Sequence, residues 1–197
     1  MSELFRVGDF DSRDFATSIT SNQYTSKQWL VKELAKQNSV FGKNPRVMIL
    51  GAWYGSFLIP LLRDQINPKS IIVNDINPDV LECARILHDD DICSYECFDV
   101  EQSLDYIKKV KVDVLINTSC EHMFDMKNVI TGSPNTVYAL QSCDNKNDPG
   151  HINTAATTDQ FIEQTGLTDV LFRGRLSLSN KTRFMVIGTK NRIINTG

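Results

Sequence analysis

The stretch "VMILGAWYGSF", Val47 to Phe57, ends an apolar run at Gly51 and places a second glycine at Gly55. A strand that breaks on glycine lets a ligand lie against bare backbone, and the helix that follows offers unpaired N–H groups. The pattern predicts a nucleotide-binding turn, although Trp53 and Tyr54 fill positions where small residues are usual. Asp75 closes the next apolar run, 20 residues past Gly55, where a carboxylate can accept hydrogen bonds from both hydroxyls of a ribose. The plainer reading of Asp75 is a turn or capping residue. Asp99 ends a third run, in "CFDV", and can cap a helix. Further on, "NTSCEHM" from Asn117 brings Cys120, Glu121 and His122 together. An imidazole titrates near neutrality and suits a general base, set against the reading of a satisfied structural histidine. Cys120 has no nameable orienting group and makes a poor covalent nucleophile. The polar loop "QSCDNKNDPGHIN" adds Gln141, Asp144, Asn145 and His151, either facing an acceptor or simply solvated.

These residues sit at the ends of alternating elements. "TSKQWLVKELAKQN" reads as a helix opened by a Thr25–Gln28 capping box and broken by "GKNP". Val47–Leu50, Ile71–Val73, "SYECFDV", "VDVLINTS" and "TVYALQS" read as strands. Between them Phe57–Arg63, "NPDVLECARILHDD", Leu104–Lys109 and, weakly, Met126–Ile130 read as helices. Asn77 supplies an N-cap with Pro78 in the first helical position. "TTDQFIEQTGL" is a capped helix ending at Gly166. "VLFRGRLSL" and "RFMVIGTK" are separated only by "SNKT", too short for a parallel crossover, so they form an antiparallel hairpin. The expectation is a Rossmann-like α/β fold: seven strands, mostly parallel, helices on both faces and a C-terminal antiparallel hairpin. Residues 1–45 are expected to form an N-terminal helical cap, 46–190 the main domain and 191–197 a tail. The polar residues up to about position 20 read as mobile.

At 197 residues the chain suits one well-buried domain. Its net charge of -3 provides no global field for a polyanion, so nucleic acid is an unexpected partner. Yet from Leu171 onward there are six basic residues (Arg173, Arg175, Lys181, Arg183, Lys190, Arg192) and no acidic one. Charge-protected, solvated strand edges are the plain reading; a phosphate-bearing substrate or a subunit partner is the other. Cys93 and Cys97 lack a Cys-x-x-Cys or histidine partner, which argues against zinc, and no metal is expected. Five cysteines without framework spacing suit a reducing compartment. No segment approaches the ~20 apolar residues of a membrane span. A soluble, cytoplasmic protein with no membrane partner is expected.

Taken together, "VMILGAWYGSF", "IIVNDINPDVLECAR", "CFDV", "VDVLINTSCEHM" and the closing "RFMVIGTK" resemble a class I S-adenosylmethionine-dependent methyltransferase over roughly Arg46 to Lys190. The resemblance implies S-adenosyl-L-methionine as cofactor. It implies cofactor contacts from Gly51, Trp53, Tyr54 and Gly55 of the first turn. Asp75 would accept from the ribose hydroxyls, Asp99 would contact the adenine amino group, and Ile76, Val100 and Asn117 would complete the cofactor site. It places chemistry at His122 as base, with Glu121 beside it as an exposed or orienting neighbour. Two positions depart from the family pattern: Ile49 stands where an acid is common, and Trp53 where a middle glycine is. Trp53 then either packs under the N-terminal helix or offers its face to a sulfonium. "NTSC" also replaces the Asn/Asp-Pro-Pro-aromatic motif of nucleobase methyltransferases, which points to a small-molecule acceptor. The rival readings are aminopropyl or aminocarboxypropyl transfer on the same fold, or a non-catalytic nucleoside-binding scaffold. A nicotinamide dehydrogenase fits less well, because Gly51-x-x-x-Gly55 is not Gly-x-Gly-x-x-Gly.

Overall fold

Strands and helices alternate from Arg46 to Ser177 because short β-branched and aliphatic runs are cut by helical stretches, two of them, at Asn77 and Thr157, capped by a side chain. The computed structural model describes residues 4, 7, 8, 10–130 and 136–190. The expected tail, with Arg192, lies outside the described residues. The strands are β1 (Arg46–Leu50), β2 (Ser70–Asp75), β3 (Cys93–Cys97), β4 (Val114–Asn117), β5 (Val137–Cys143), β6 (Asp169–Ser177) and β7 (Thr182–Thr189). The helices are α1 (Ser12–Ser18), α2 (Ser21–Ala35), α3 (Asn38–Phe41), α4 (Leu58–Gln65), α5 (Pro78–Leu87), α6 (Leu104–Lys109) and α7 (Thr158–Thr165).

All seven strands form one sheet in the order β3-β2-β1-β4-β5-β7-β6. The first five are parallel, and β7 lies antiparallel between β5 and β6. The sheet has two buried faces, and β1 shows why. Val47 and Ile49 point to one core with Leu30 and Leu34 of α2 and Leu58 and Leu62 of α4. Met48 and Leu50 point to the other, with Ile107 of α6 and Phe161 of α7. Each fully buried leucine contributes about 1.5–3 kcal/mol relative to exposure. The caps are local: Asn77 Oδ1 accepts from Asp79 N and Val80 N, and Thr157 caps α7, which ends at left-handed Gly166. Among the described residues no helix is long and apolar enough to cross a membrane.

Four details differ from expectation. Residues ahead of position 20 are partly ordered, since α1 forms with Asp11 accepting from Arg13 N and Asp14 N. Helix α2 starts at Ser21 rather than Thr25, and Gln28 bonds the Tyr24 hydroxyl instead of closing a capping box. Strand β3 stops at Cys97, so Asp99 lies in the loop beyond it. Only Met126–Asn128 of the weak helix folds, as a 3-10 turn.

Candidate functional site

Strand order reverses between β1 and β4, and in open α/β sheets the crevice at the carboxyl ends of such strands takes ligands. Here a cleft of about 860 Å³ opens there, within the ~300–1,000 Å³ common for ligand sites. Its wall runs from Asp75, Ile76, Asp99 and Val100 past Gly51 and Trp53 to His122, His151 and Arg183.

The turn after β1 requires glycine. Gly51 has φ 58° and a side chain there would meet Met123 Cε at 2.6 Å; Gly55 has φ 61° and would strike Ile59. Trp53 also takes a left-handed φ of 53°, a conformation rare for a bulky residue. Three contacts offset that strain. The Trp53 amide donates to Asp75 Oδ2 at 2.8 Å, its indole Nε1 donates to Asp14 Oδ2 of α1 at 2.8 Å, and its ring packs with Phe15 and Tyr54. Trp53 thus packs against the N-terminal helix while still lining the cleft. Tyr54 turns away. It is 2% exposed, its hydroxyl donates to Asp14, and its carbonyl lies 3.1 Å from His88 Nε2. Neither Tyr54 nor Gly55 lines the cleft.

Asp75 ends β2 half-buried at the rim. Asn77 N donates to Oδ1 at 3.0 Å and Trp53 N to Oδ2 at 2.8 Å, so the turn-capping role is real and each oxygen retains a lone pair. Burial raises its carboxyl, the Asn77, Trp53 and Ile76 amides pull it down, and Asp14 adds repulsion; the net shift is upward. Beside it Ile76 is 65% exposed inside the cleft. Asp99 lines the cleft and accepts from Glu101 N through Oδ1; among the described residues Oδ2 has no hydrogen bond. Asn117 is displaced from its expected role. It is buried beneath Met123 and Met126, with Oδ1 accepting from Ser119 N, and does not line the cleft.

The turn after β4 carries the reactive groups. His122 Nδ1 lies 2.9 Å from the Gly150 carbonyl, which can only accept, so Nδ1–H donates and the neutral ring has its lone pair on Nε2. The His151 ring packs edge-on at 4.5 Å. Glu121 is not the exposed neighbour expected. It is 2% exposed and ion-paired with Arg183, itself 4% exposed, which also donates to the Thr118 carbonyl. Burial raises the Glu121 carboxyl and the Arg183 guanidinium outweighs it, leaving it below the usual carboxylate range. Burial pushes the Cys120 thiol strongly up, which removes it as a nucleophile. Of the loop candidates only His151 lines the cleft. Gln141 instead ties β5 to Ser26 of α2, and Asp144 accepts from Thr182 N. Glu121, Cys143 and His151 gather within 4.8 Å, yet the Arg183 cation on Glu121 and the raised Cys143 thiol both oppose a metal ion.

Asp14, Lys27 and Met123 escape sequence reasoning, Asp14 and Lys27 because they look like solvated helix residues. Arg183 is visible only as one of six basic residues, read as serving a phosphate-bearing substrate or subunit partner or as strand-edge protection. Arg173 and Arg175 on edge strand β6 do match that expectation, being exposed, whereas β7 is interior. An arginine flanked by "NKT" and "FMVIG" is the available signal, since a charge opening a buried strand needs a partner.

No protein-family model matches the sequence, and no match to a curated protein was found. Solved structures do match. The bifunctional kinase-methyltransferase WbdD aligns at TM-score 0.69 and 15% identity over 96% of this chain and 46% of its own. The N-terminal domain of EvdMO1, with SAH bound, aligns at TM-score 0.60 and 16% identity, covering 87% of this chain and 85% of that one. An O-methyltransferase family protein from Burkholderia thailandensis aligns at TM-score 0.53 and 15% identity over 83% of this chain; the match spans 56% of that protein. With the sheet order, the reversed β7 and the cleft at the β1–β4 switch, these likenesses show that the chain has the class I S-adenosylmethionine-dependent methyltransferase fold.

Proposed function

We propose that this protein is an S-adenosylmethionine-dependent methyltransferase acting on a small-molecule acceptor. The observation that carries the proposal is one continuous cleft lined by Asp75, Asp99, the Gly51 turn and His122. The residues present fit the donor. Gly51 leaves bare backbone where a side chain would collide, and Asn74 Oδ1 is buried in the cleft wall without a partner. Asp75 would accept from the ribose hydroxyls, Asp99 Oδ2 from the adenine amine, and Ile76 and Val100 would flank the base. Bound S-adenosylmethionine supplies a methyl group activated by its positive sulfur. The protein's part is to hold the acceptor in line, exclude water and take the acceptor's proton on His122 Nε2.

Calorimetry with S-adenosylmethionine, S-adenosylhomocysteine and NAD tests the reading, which requires the first two to bind and NAD not to. Asp75→Ala should weaken S-adenosylmethionine by about 1.5–3 kcal/mol, the worth of hydrogen bonds to a charged group. Unchanged affinity in the folded variant retires the ribose assignment. Because the Asp75 carboxyl is raised, donor affinity should decline on acidification earlier than for an ordinary carboxylate.

A second reading has its own support: MtNAS in complex with MTA and tNA also matches, at TM-score 0.57 and 19% identity over 95% of this chain and 69% of that one. Product analysis separates the two, since methyl transfer leaves S-adenosylhomocysteine and transfer of the larger chain leaves the methylthio nucleoside.

A further inference from the structure

We propose that the β5–β7 end of the cleft, where Lys27, Lys181 and Arg183 converge, binds an oxyanion carried by the acceptor, a carboxylate or a phosphate. This rests on the methyl-transfer reading and narrows its substrate class.

Charge is distributed unevenly along the cleft. At the β2–β3 end its wall carries Asp14, Asp75, Asp99 and Glu101; at the opposite end it carries Lys27, Lys181 and Arg183. Strand order separates the two groups, since β2 and β3 lie on the far side of β1 and β4 from β7. Three cations face one carboxylate of their own, Glu121, and that carboxylate is engaged by Arg183. Among the described residues neither the Lys27 nor the Lys181 ammonium has a hydrogen bond or ion pair, and Arg183 Nε is buried without a partner. Asp148 also lines the cleft, but it lies against His151 and Gly150.

The two lysine ammoniums, partly buried and unpaired beside the Arg183 guanidinium, cost free energy unless something offsets them. The cost is visible at Lys27: burial lowers its ammonium first, Arg183 and Lys181 lower it further, and Glu121 only partly compensates. An oxyanion would satisfy these donors together. It would also fix the acceptor's orientation, with its nucleophilic atom toward His122 on the same wall. The donor's hydroxyls and amine belong to the acidic end, so the basic end is left for the acceptor.

The test uses the full chain saturated with S-adenosylhomocysteine and three probes: inorganic phosphate, propionate and neutral propionamide, titrated by calorimetry. Phosphate or propionate is expected to bind and propionamide not to; which anion binds identifies the headgroup. Lys27→Gln and Lys181→Gln should each weaken the bound anion roughly tenfold, the loss of one charged hydrogen bond, with Lys27→Arg retaining most of it. S-adenosylhomocysteine affinity should stay within twofold in all three, which also reports that the variants fold. Equal binding of propionamide and the anions overturns the proposal, as does no anion binding to protein that holds S-adenosylhomocysteine; the donor site then stands alone. If Lys27→Gln weakens S-adenosylhomocysteine as much as the anion, the cations serve the donor's own carboxylate and the acceptor role is wrong. Failure of the unaltered protein to bind S-adenosylhomocysteine removes the methyl-transfer reading itself, and the acceptor site with it.

Discussion

Arg183→Met should destabilise the protein by about 3–5 kcal/mol, because it strands the buried Glu121 carboxylate without a counter-charge. Arg183, the second residue of β7, pairs with Cys143 of β5, and its side chain is only 5% exposed. Its two terminal nitrogens are spent on Glu121 and the Thr118 carbonyl, which locks the turn after β4 to the sheet. For a domain of this length each kcal/mol shifts the melting temperature by ~2–4 °C, so a loss of roughly 6–20 °C is expected. The double variant Glu121→Gln, Arg183→Met should recover most of it, since replacing both charges removes the stranded ion. The pair also has an acid signature. The Glu121 carboxyl is depressed in the folded protein, so the stability it contributes is present above the glutamate's unfolded value, ~4.3, and is lost as pH falls through the lower folded value. The single and double variants should lack that loss. An Arg183→Met protein melting within ~2 °C of the parent would mean that the carboxylate finds water or a proton instead.

The same pair shows which information is local and which is not. The seven strands, the α5 and α7 caps and the hairpin are legible because each depends on neighbours in sequence: short apolar runs, Asn77–Pro78, Thr157 and Gly166, and a linker too short to cross over. Helix α1 is not legible. Only Ser18 of its residues is buried, and Asp14 is held by Trp53 and Tyr54 about 40 positions away in sequence. The site divides in the same way. Gly51, Asp75 and Asp99 sit at strand ends and turns, which hydrophobic runs mark. Tyr54 and Asn117 occupy equally marked positions yet face inward, because a strand-end residue's direction is set by what packs behind it. Lys27 and Arg183 meet Glu121 from a helix and a strand far apart in sequence, and no spacing encodes that meeting.

His122 should carry the largest effect on turnover. Its replacement by alanine or asparagine is expected to cost roughly 10²–10⁴ in kcat, the range for a lost general base. The geometry supports a single role for each ring nitrogen: Nδ1–H is fixed on the Gly150 carbonyl, and Nε2 remains to accept a proton in the cleft. The support behind it is unusually direct. The Glu121 carbonyl accepts from both Ile152 N and Asn153 N, at 2.9 and 3.0 Å, pinning the loop that carries Gly150 over the turn that carries His122. A side chain at Gly150 would come within 3.1 Å of His122 Nδ1, so Gly150→Ala should displace the ring and lower kcat with little effect on donor affinity. Donor affinity should barely change in either variant, because the proposed donor carboxylates Asp75 and Asp99 follow β2 and β3, whereas His122 follows β4. Near-normal turnover in His122→Ala would rule His122 out as the base. His151 is the next imidazole on that wall, but its Nδ1 is committed to the Asn145 carbonyl at 2.5 Å and its side chain is almost fully buried. A protein that turns over without His122 would therefore be working by alignment of donor and acceptor rather than by a second base.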